Sequence, residues 1–378
     1  MSLEVREFIK PFVSVSEDLY YFSKQAKKNG EMVAGFMCTY SPQELFHAAG
    51  YFPVRIIGKD GGTPLADQWL QPYACSFAKS VLNMGLSGDY PFLDLMVFSH
   101  TCDTMQNLAD VWRRRVNGPP VIIVSTPNLS AGDLSLTYLK RELTRVKEEV
   151  EKISGNKIAD DKLLNSINLY NKHRDNMKLL YDMRRKSPTL ITGTEMFAIV
   201  LSSFVMKKEE HNKLLEELIQ QLEKMAPENI AKPKILVGGS VCQAQGFIQT
   251  IESSGALVCD DDLCMGSRAY VIPSVPEGDP IEMLAQMYLL RIPCPAIHKP
   301  GYDPAGPYID KIKAGNIDGV IFLQTKFCDP YGFNYPYLRK RLEQEGIPSL
   351  LLEVEQNQPV AESFHTRVEA FIETLSAK

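Results

Sequence analysis

Apolar and polar positions along this chain change their period several times, and the changes divide it. Over the first 30 residues the apolar positions Phe8, Phe12, Leu19, Tyr20 and Phe22 read as helix. "MVAGF" at 32–36 is a short apolar run of strand length, followed by a loop, a helix from about Ser41 and a second run at "YFPVRIIG". Ser41 and Glu44 have the S-x-x-E spacing of a capping box, Pro42 suits the first helical position, and Gly50 suits a helix stop. The pattern predicts one βαβ unit. A further strand at 93–99 leads into a helix containing residues 105–112, and "PPVIIVSTP" reads as strand again. Strands alternating with helices predict a parallel sheet covered on both faces.

From about residue 134 to 225 the period becomes helical. Leu139, Leu143, Val146, Val150 and Ile153 recur at spacings of four and three, and Leu214, Leu215, Leu218, Ile219 and Leu222 repeat the stripe. The βαβ pattern then restarts, with a strand at 235–237, a helix at 245–253, Gly255 and a strand at 256–258. "IDGVIFLQTKFCDP" echoes "FLDLMVFSHTCD": an apolar strand, a few polar residues, then Cys-Asp. The expectation is an α/β protein with two similar parallel-sheet halves, residues 1–132 and 231–378, joined by a helical connector over 133–230. Two such halves facing each other put their strand C-terminal ends around one cleft, where ligands bind in open α/β sheets.

Composition narrows the function classes. The 378 residues are 44% hydrophobic and 23% charged, as in a globular protein with more than one core. Net charge is −5 with the signs interspersed, which argues against a nucleic-acid binder; Arg113, Arg114 and Arg115 read as a solvated helix face. No apolar run approaches membrane-spanning length, and "MSLEVREFIK" lacks a secretory apolar region, so a cytoplasmic protein is expected. There is no G-x-x-x-x-G-K-[ST], so the chain is not expected to hydrolyse ATP. "VGGSVCQAQG" is a glycine turn without the G-x-G-x-x-G spacing, and neither G-x-S-x-G nor H-E-x-x-H occurs.

Eight cysteines remain, reduced in such a compartment. Cys102 and Cys328 each follow a predicted strand and precede Asp, and Cys75 opens a predicted helix. Three thiols converging from two halves suit an iron–sulfur site, and a helix N-terminus favours the ligating thiolate. The competing reading is a small buried hydrophobe. Spacing leaves both open for Cys102 and Cys328, because no C-x2-C-x2-C run occurs; Cys259 and Cys264 make a C-x4-C pair that nothing downstream completes. For Cys38, Cys242, Cys259, Cys264 and Cys294 the packing reading is preferred. His100 is the histidine nearest the predicted cleft, as a proton donor or a strand-end packing residue, with His298 second. His47, His173, His211 and His365 fall on predicted helices as surface or packing residues.

The strings "FHAAGYFPV", "YACSFAKSVLNMGLSG", "SHTCDTMQNLADVW" and "GVIFLQTKFCDPYGFNYPYLRKRLEQEGIPSLLLEVEQ" resemble the 2-hydroxyacyl-CoA dehydratase and benzoyl-CoA reductase family, from about residue 30 to the C-terminus. The resemblance implies two flavodoxin-like (Rossmann-like) domains with a cluster in the cleft between them, in a chain that works with a homologous partner subunit or as a homodimer. It implies a 4Fe–4S cluster on Cys75, Cys102 and Cys328, with one iron open to the thioester carbonyl of an acyl-CoA. One electron then yields a ketyl that expels the neighbouring hydroxyl. A separate ATP-hydrolysing iron–sulfur activator supplies that electron, in keeping with the missing phosphate loop. Reductases of the family use the same supply to reduce an aromatic ring. Other relatives carry a double-cubane cluster on about six cysteines. Cys38 sits near the family's first strand–loop, and Cys264 in "DDLCMGSR" and Cys294 in "RIPCPAI" resemble strings of the reductase branch. The readings are therefore a radical dehydratase component, a benzoyl-CoA reductase component, a double-cubane redox protein, or a flavodoxin-like module whose cysteines are simply buried.

Overall fold

The computed structural model describes residues 3–226, 230–240, 245–355 and 358–377. Helices α1 (Leu3–Val13) and α2 (Tyr21–Lys28) lead into β1 (Met32–Phe36), α3 (Gln43–Ala48), β2 (Tyr51–Arg55), α4 (Ser76–Leu86), β3 (Leu95–His100), α5 (Asp103–Arg115) and β4 (Val121–Ser125). Four helices follow: α6 (Gly132–Ser154), α7 (Asp160–Lys186), α8 (Gly193–Ser203) and α9 (Lys208–Leu222). The remainder runs β5 (Lys234–Gly239), α10 (Gln245–Ser253), β6 (Leu257–Asp262), α11 (Pro280–Leu290), α12 (Gly306–Gly315), β7 (Gly319–Thr325), α13 (Asp329–Gln344), β8 (Ser349–Val354) and α14 (Glu362–Ser376).

Both sheets are four-stranded and parallel throughout, ordered β2-β1-β3-β4 and β6-β5-β7-β8. The echo in the sequence is thus an echo in topology. The strands are nearly continuous apolar runs because helices cover both faces; β2 is buried at all five positions. In each sheet the chain leaves its second-placed strand to one side and returns on the other. The loops after β1 and β3, and after β5 and β7, therefore diverge and leave a crevice at the strand C-termini.

The connector stripe packs as its period requires. Leu139, Leu143, Val146 and Val150 are buried, each contributing about 1.5–3 kcal/mol if fully removed from water. They belong to a core that spans the first sheet, α6 to α9, and Met283, Met287 and Tyr288 of α11. The second sheet has its own apolar clusters on its two faces.

Two expectations fail locally. The first 30 residues are two helices separated by a 3-10 turn at Ser14–Ser16, not one. The Ser41/Glu44 capping box does not form: α3 starts at Gln43 with Pro42 as its N-cap and no side-chain cap. Each partner is drawn to something more distant. Ser41 Oγ lies 2.9 Å from Ser99 Oγ, and the Glu44 carboxylate pairs with Arg174 at 2.7 Å. A real capping box stands at Thr192 and Glu195, at the start of α8.

Candidate functional site

The C-terminal ends of both sheets open onto one cavity of about 110 Å³. Cys38 and Thr39 reach it from the loop after β1, Thr101 and Cys102 from the loop after β3, and Cys75 from the start of α4. The second half supplies Ser240 after β5, Cys264 after β6, Cys294 after α11, and Cys328 after β7. Six thiols thus line a single space. The seven described cysteines form no disulfide among themselves.

Cys75, Cys102 and Cys328 share a local design. Each is the N-cap of a helix, of α4, α5 and α13, the place usually taken by Ser, Thr or Asp. Asp103 and Asp329 follow two of them and complement the helix dipole. Burial raises all three thiols, and it pushes Cys102 up to about 11. First-turn backbone N–H groups oppose the rise: Ala78 and Phe77 at Cys75, Met105 and Thr104 at Cys102, Tyr331 at Cys328. The sulfurs also sense one another, with Cys75, Cys294 and Cys102 adding to the rise at Cys328. Just before Cys328, Phe327 holds a left-handed backbone with φ 64°, a strain of about 1–3 kcal/mol.

Cys38, Cys264 and Cys294 are surrounded differently, by arginines. Arg55, the last residue of β2, points Nη2 at Cys264 Sγ, 3.9 Å away. Arg291 donates to the Thr39 carbonyl at 2.6 Å and to Thr39 Oγ1 at 3.0 Å, and its guanidinium lies 4.3 Å from the Tyr40 ring centre. Arg268 is held by Asp262 at 2.7 Å. Burial pushes Cys294 up to about 12, with the Cys264 and Cys38 thiols adding to it.

The packing reading therefore fits Cys259 but departs from the structure at three others. Cys259 is fully buried among Leu236, Tyr308 and Val320. Cys38, Cys264 and Cys294 are incompletely buried and face the cavity. A signal for two of them was present in the sequence: Cys38 and Cys264 follow strand ends as Cys102 and Cys328 do. Cys242 lies outside the described residues. His100 ends β3 but is not among the residues lining the cavity; the charged groups it senses are Asp110, Arg113 and Glu142. His298 pairs through its backbone with the segment around Leu129. His47, His173, His211 and His365 lie on α3, α7, α9 and α14, and His173 and His211 are buried 3.1 Å apart.

Among the described residues no three His, Cys, Asp or Glu side chains stand close enough to share one metal ion, and no helix is long and apolar enough to cross a membrane.

Residues 38–375 match the family model described as 2-hydroxyglutaryl-CoA dehydratase, D-component. The chain is 28% identical over 370 residues to the (R)-phenyllactyl-CoA dehydratase beta subunit of Clostridium sporogenes, covering 98% of this chain and 99% of that one. It is 29% identical to a subunit of the benzoyl-CoA reductase of Thauera aromatica, covering 91% of each chain. With the (R)-2-hydroxyglutaryl-CoA dehydratase beta subunit of Acidaminococcus fermentans it shares 24% identity over 99% of this chain and 100% of that one. A match that takes in three strands of the first sheet, the connector, the whole second sheet and all six cavity thiols places the chain in the 2-hydroxyglutaryl-CoA dehydratase D-component family.

Proposed function

We propose that this chain is an iron–sulfur component of an enzyme that acts on acyl-CoA thioesters in the manner of the 2-hydroxyacyl-CoA dehydratases. The observation that carries this is the convergence of six thiols from both halves on one cavity. Soft thiolate ligands are what iron–sulfur clusters take, and six of them are at hand on this cavity. Cys75, Cys102 and Cys328 would hold a 4Fe–4S cluster, and their helix N-terminal N–H groups favour thiolate there. Such a cluster would supply one-electron chemistry at low potential. The apolar side chains of Phe77, Met105 and Pro330 line that space and would limit the access of bulk water to it. The hydroxyls of Thr101 and Ser240 line it as proton-bearing groups. The electron would come from a separate ATP-hydrolysing activator, as the family resemblance implies, and a chain without the P-loop pattern is compatible with that. The relatives are named as subunits, which supports a partner chain.

A second reading is favoured by a specific observation. Cys38, Cys264 and Cys294 line the same cavity, so six ligands are at hand for a larger, double-cubane cluster. Anaerobic reconstitution followed by iron and sulfide counting separates the two: about four irons per chain for one cubane, about eight for the larger cluster. No iron uptake leaves the flavodoxin-like module with buried thiols. Turnover of 2-hydroxyacyl-CoA esters and of benzoyl-CoA, with activator and partner added, then distinguishes the dehydratase reading from the reductase reading.

A further inference from the structure

Among the described residues, two guanidiniums on the cavity wall lack a counter-charge. Arg55 is fully buried, and among the described residues its Nε and Nη1 have no hydrogen-bond partner; its Nη2 faces the Cys264 sulfur and the Phe204 ring centre lies 4.9 Å from the guanidinium carbon. Arg291 is 3% exposed, spends both Nη groups on Thr39 and leaves Nε unpartnered. Among the described residues neither has a carboxylate at salt-bridge distance, whereas the buried Arg174 and Arg268 are held by Glu44 and Asp262; Arg184, also buried without a carboxylate, donates to the Ile191 carbonyl away from the cavity. A buried cation without an anion costs several kcal/mol, and arginine cannot escape by losing its proton. Both side chains line the cavity, so the missing negative charge belongs to whatever fills it.

We propose that Arg55, seconded by Arg291, is a built-in counter-cation for an anionic, thiolate-held occupant on the Cys38, Cys264 and Cys294 side of the cavity. This rests on the iron–sulfur reading and favours its six-thiol form. Each thiolate ligand brings one negative charge, and on this side the charges fall next to guanidiniums instead of helix N-termini. The two arginines are positioning residues: they set how tightly the occupant is held and how readily it accepts an electron. A nearby positive charge stabilises the reduced form and raises the potential.

The test compares wild type, Arg55→Met, Arg55→Lys and Arg291→Met after anaerobic reconstitution with ferrous iron and sulfide. Three quantities are read: iron per chain, the midpoint potential from a spectroscopic redox titration, and the rise in thermal midpoint between apo and loaded protein. Subtracting the apo midpoint cancels any packing that methionine loses against Phe204. The expectation is a more negative potential and a smaller loading-induced rise in Arg55→Met, with Arg55→Lys recovering most of both. Arg291→Met should shift the same way and serves as the readout if Arg55→Met does not fold. Iron bound by all variants, with unchanged potential and unchanged rise, overturns the counter-cation role while leaving the cluster in place. Failure of wild type to take up iron overturns both.

Discussion

Glu44 is the place where one substitution separates the cost of breaking a buried ion pair from the worth of having it. Its side chain is buried, with Arg174 Nη1 2.7 Å from Oε1 and the Tyr288 hydroxyl donating to Oε2 at 3.0 Å. Those partners sit on α7 and α11, so one carboxylate ties α3 to the connector and to the helix that leads to Arg291 and Cys294. Glu44→Leu leaves Arg174 charged and buried, a loss of about 3–5 kcal/mol. Tyr288 keeps the Ser41 carbonyl at 3.0 Å, so its share is small. Lys208 nearby also loses an anion, but burial already pushes its amine down to about 7, and it can shed its proton. Arg174 cannot, and it carries the loss.

At about 2.1 cal/mol/K per residue the unfolding entropy of a chain this long is roughly 0.8 kcal/mol/K, so the thermal midpoint should fall by ~4–6 °C. Glu44→Leu with Arg174→Met removes both charges and should regain most of that, because replacing a buried pair by apolar groups is often close to neutral. Differential scanning calorimetry of the apo proteins under anaerobic conditions makes the comparison. A double variant no better than Glu44→Leu alone would show that the carboxylate acts through packing and hydrogen bonds, not by neutralising Arg174.

Three further outcomes are expected. Cys102→Ala and Cys328→Ala should each lose bound iron while Cys259→Ala keeps it, as read by iron analysis after reconstitution; equal iron in all three would remove the ligand assignment. Burial pushes His211 down to about 3, so between there and the ordinary value near 6.5 the unfolded chain binds the extra proton. That share of stability is full above pH ~6.5 and is lost as pH falls toward 3. The drop in thermal midpoint from pH 7.5 to 5.0 should accordingly be smaller in His211→Gln, and an identical drop would refute the assignment. Gly239 has φ 139°, and a Cβ there would stand 2.0 Å from the Leu323 carbonyl oxygen. Gly239→Ala should part β5 from β7 beside Ser240 and lower midpoint and iron retention together; a normal midpoint would show that the strands adjust.

The two sheets were legible because parallel strands buried on both faces leave short apolar runs, and because the Cys-Asp after β3 recurs after β7. The connector was legible from its 3.6-residue stripe. The losses share a cause, which is competition from partners distant in sequence. Ser41 and Glu44 have the spacing of a capping box, but Ser99 and Arg174 claimed their side chains. Spacing said nothing of Arg55 either. At the end of a strand it reads as an exposed terminal charge, yet Phe204 and Cys264, far along the chain, enclose it. Cys38, Cys264 and Cys294 were discounted because Cys is so commonly a packing residue; only the meeting of three loops makes them a set.

The six thiols are held by two different electrostatic devices, and the difference bears on how the cavity is organised. Cys75, Cys102 and Cys328 stand at helix N-termini, where the backbone offers partial positive charge of about half a unit per helix and N–H groups that cost nothing to orient. The other three stand beside whole charges on flexible side chains, and those must be locked by Thr39, Tyr40 and Phe204 to stay in place. A backbone device needs only the helix that its thiol caps. A guanidinium device needs both halves, since Arg55 comes from the first sheet to meet Cys264 of the second. Neither half holds a complete set in either device: Cys328 completes the first trio from across the cleft, and Cys38 completes the second from the opposite direction. Any occupant ligated by either trio therefore joins the two sheets, and its binding free energy adds to the cohesion of the whole chain.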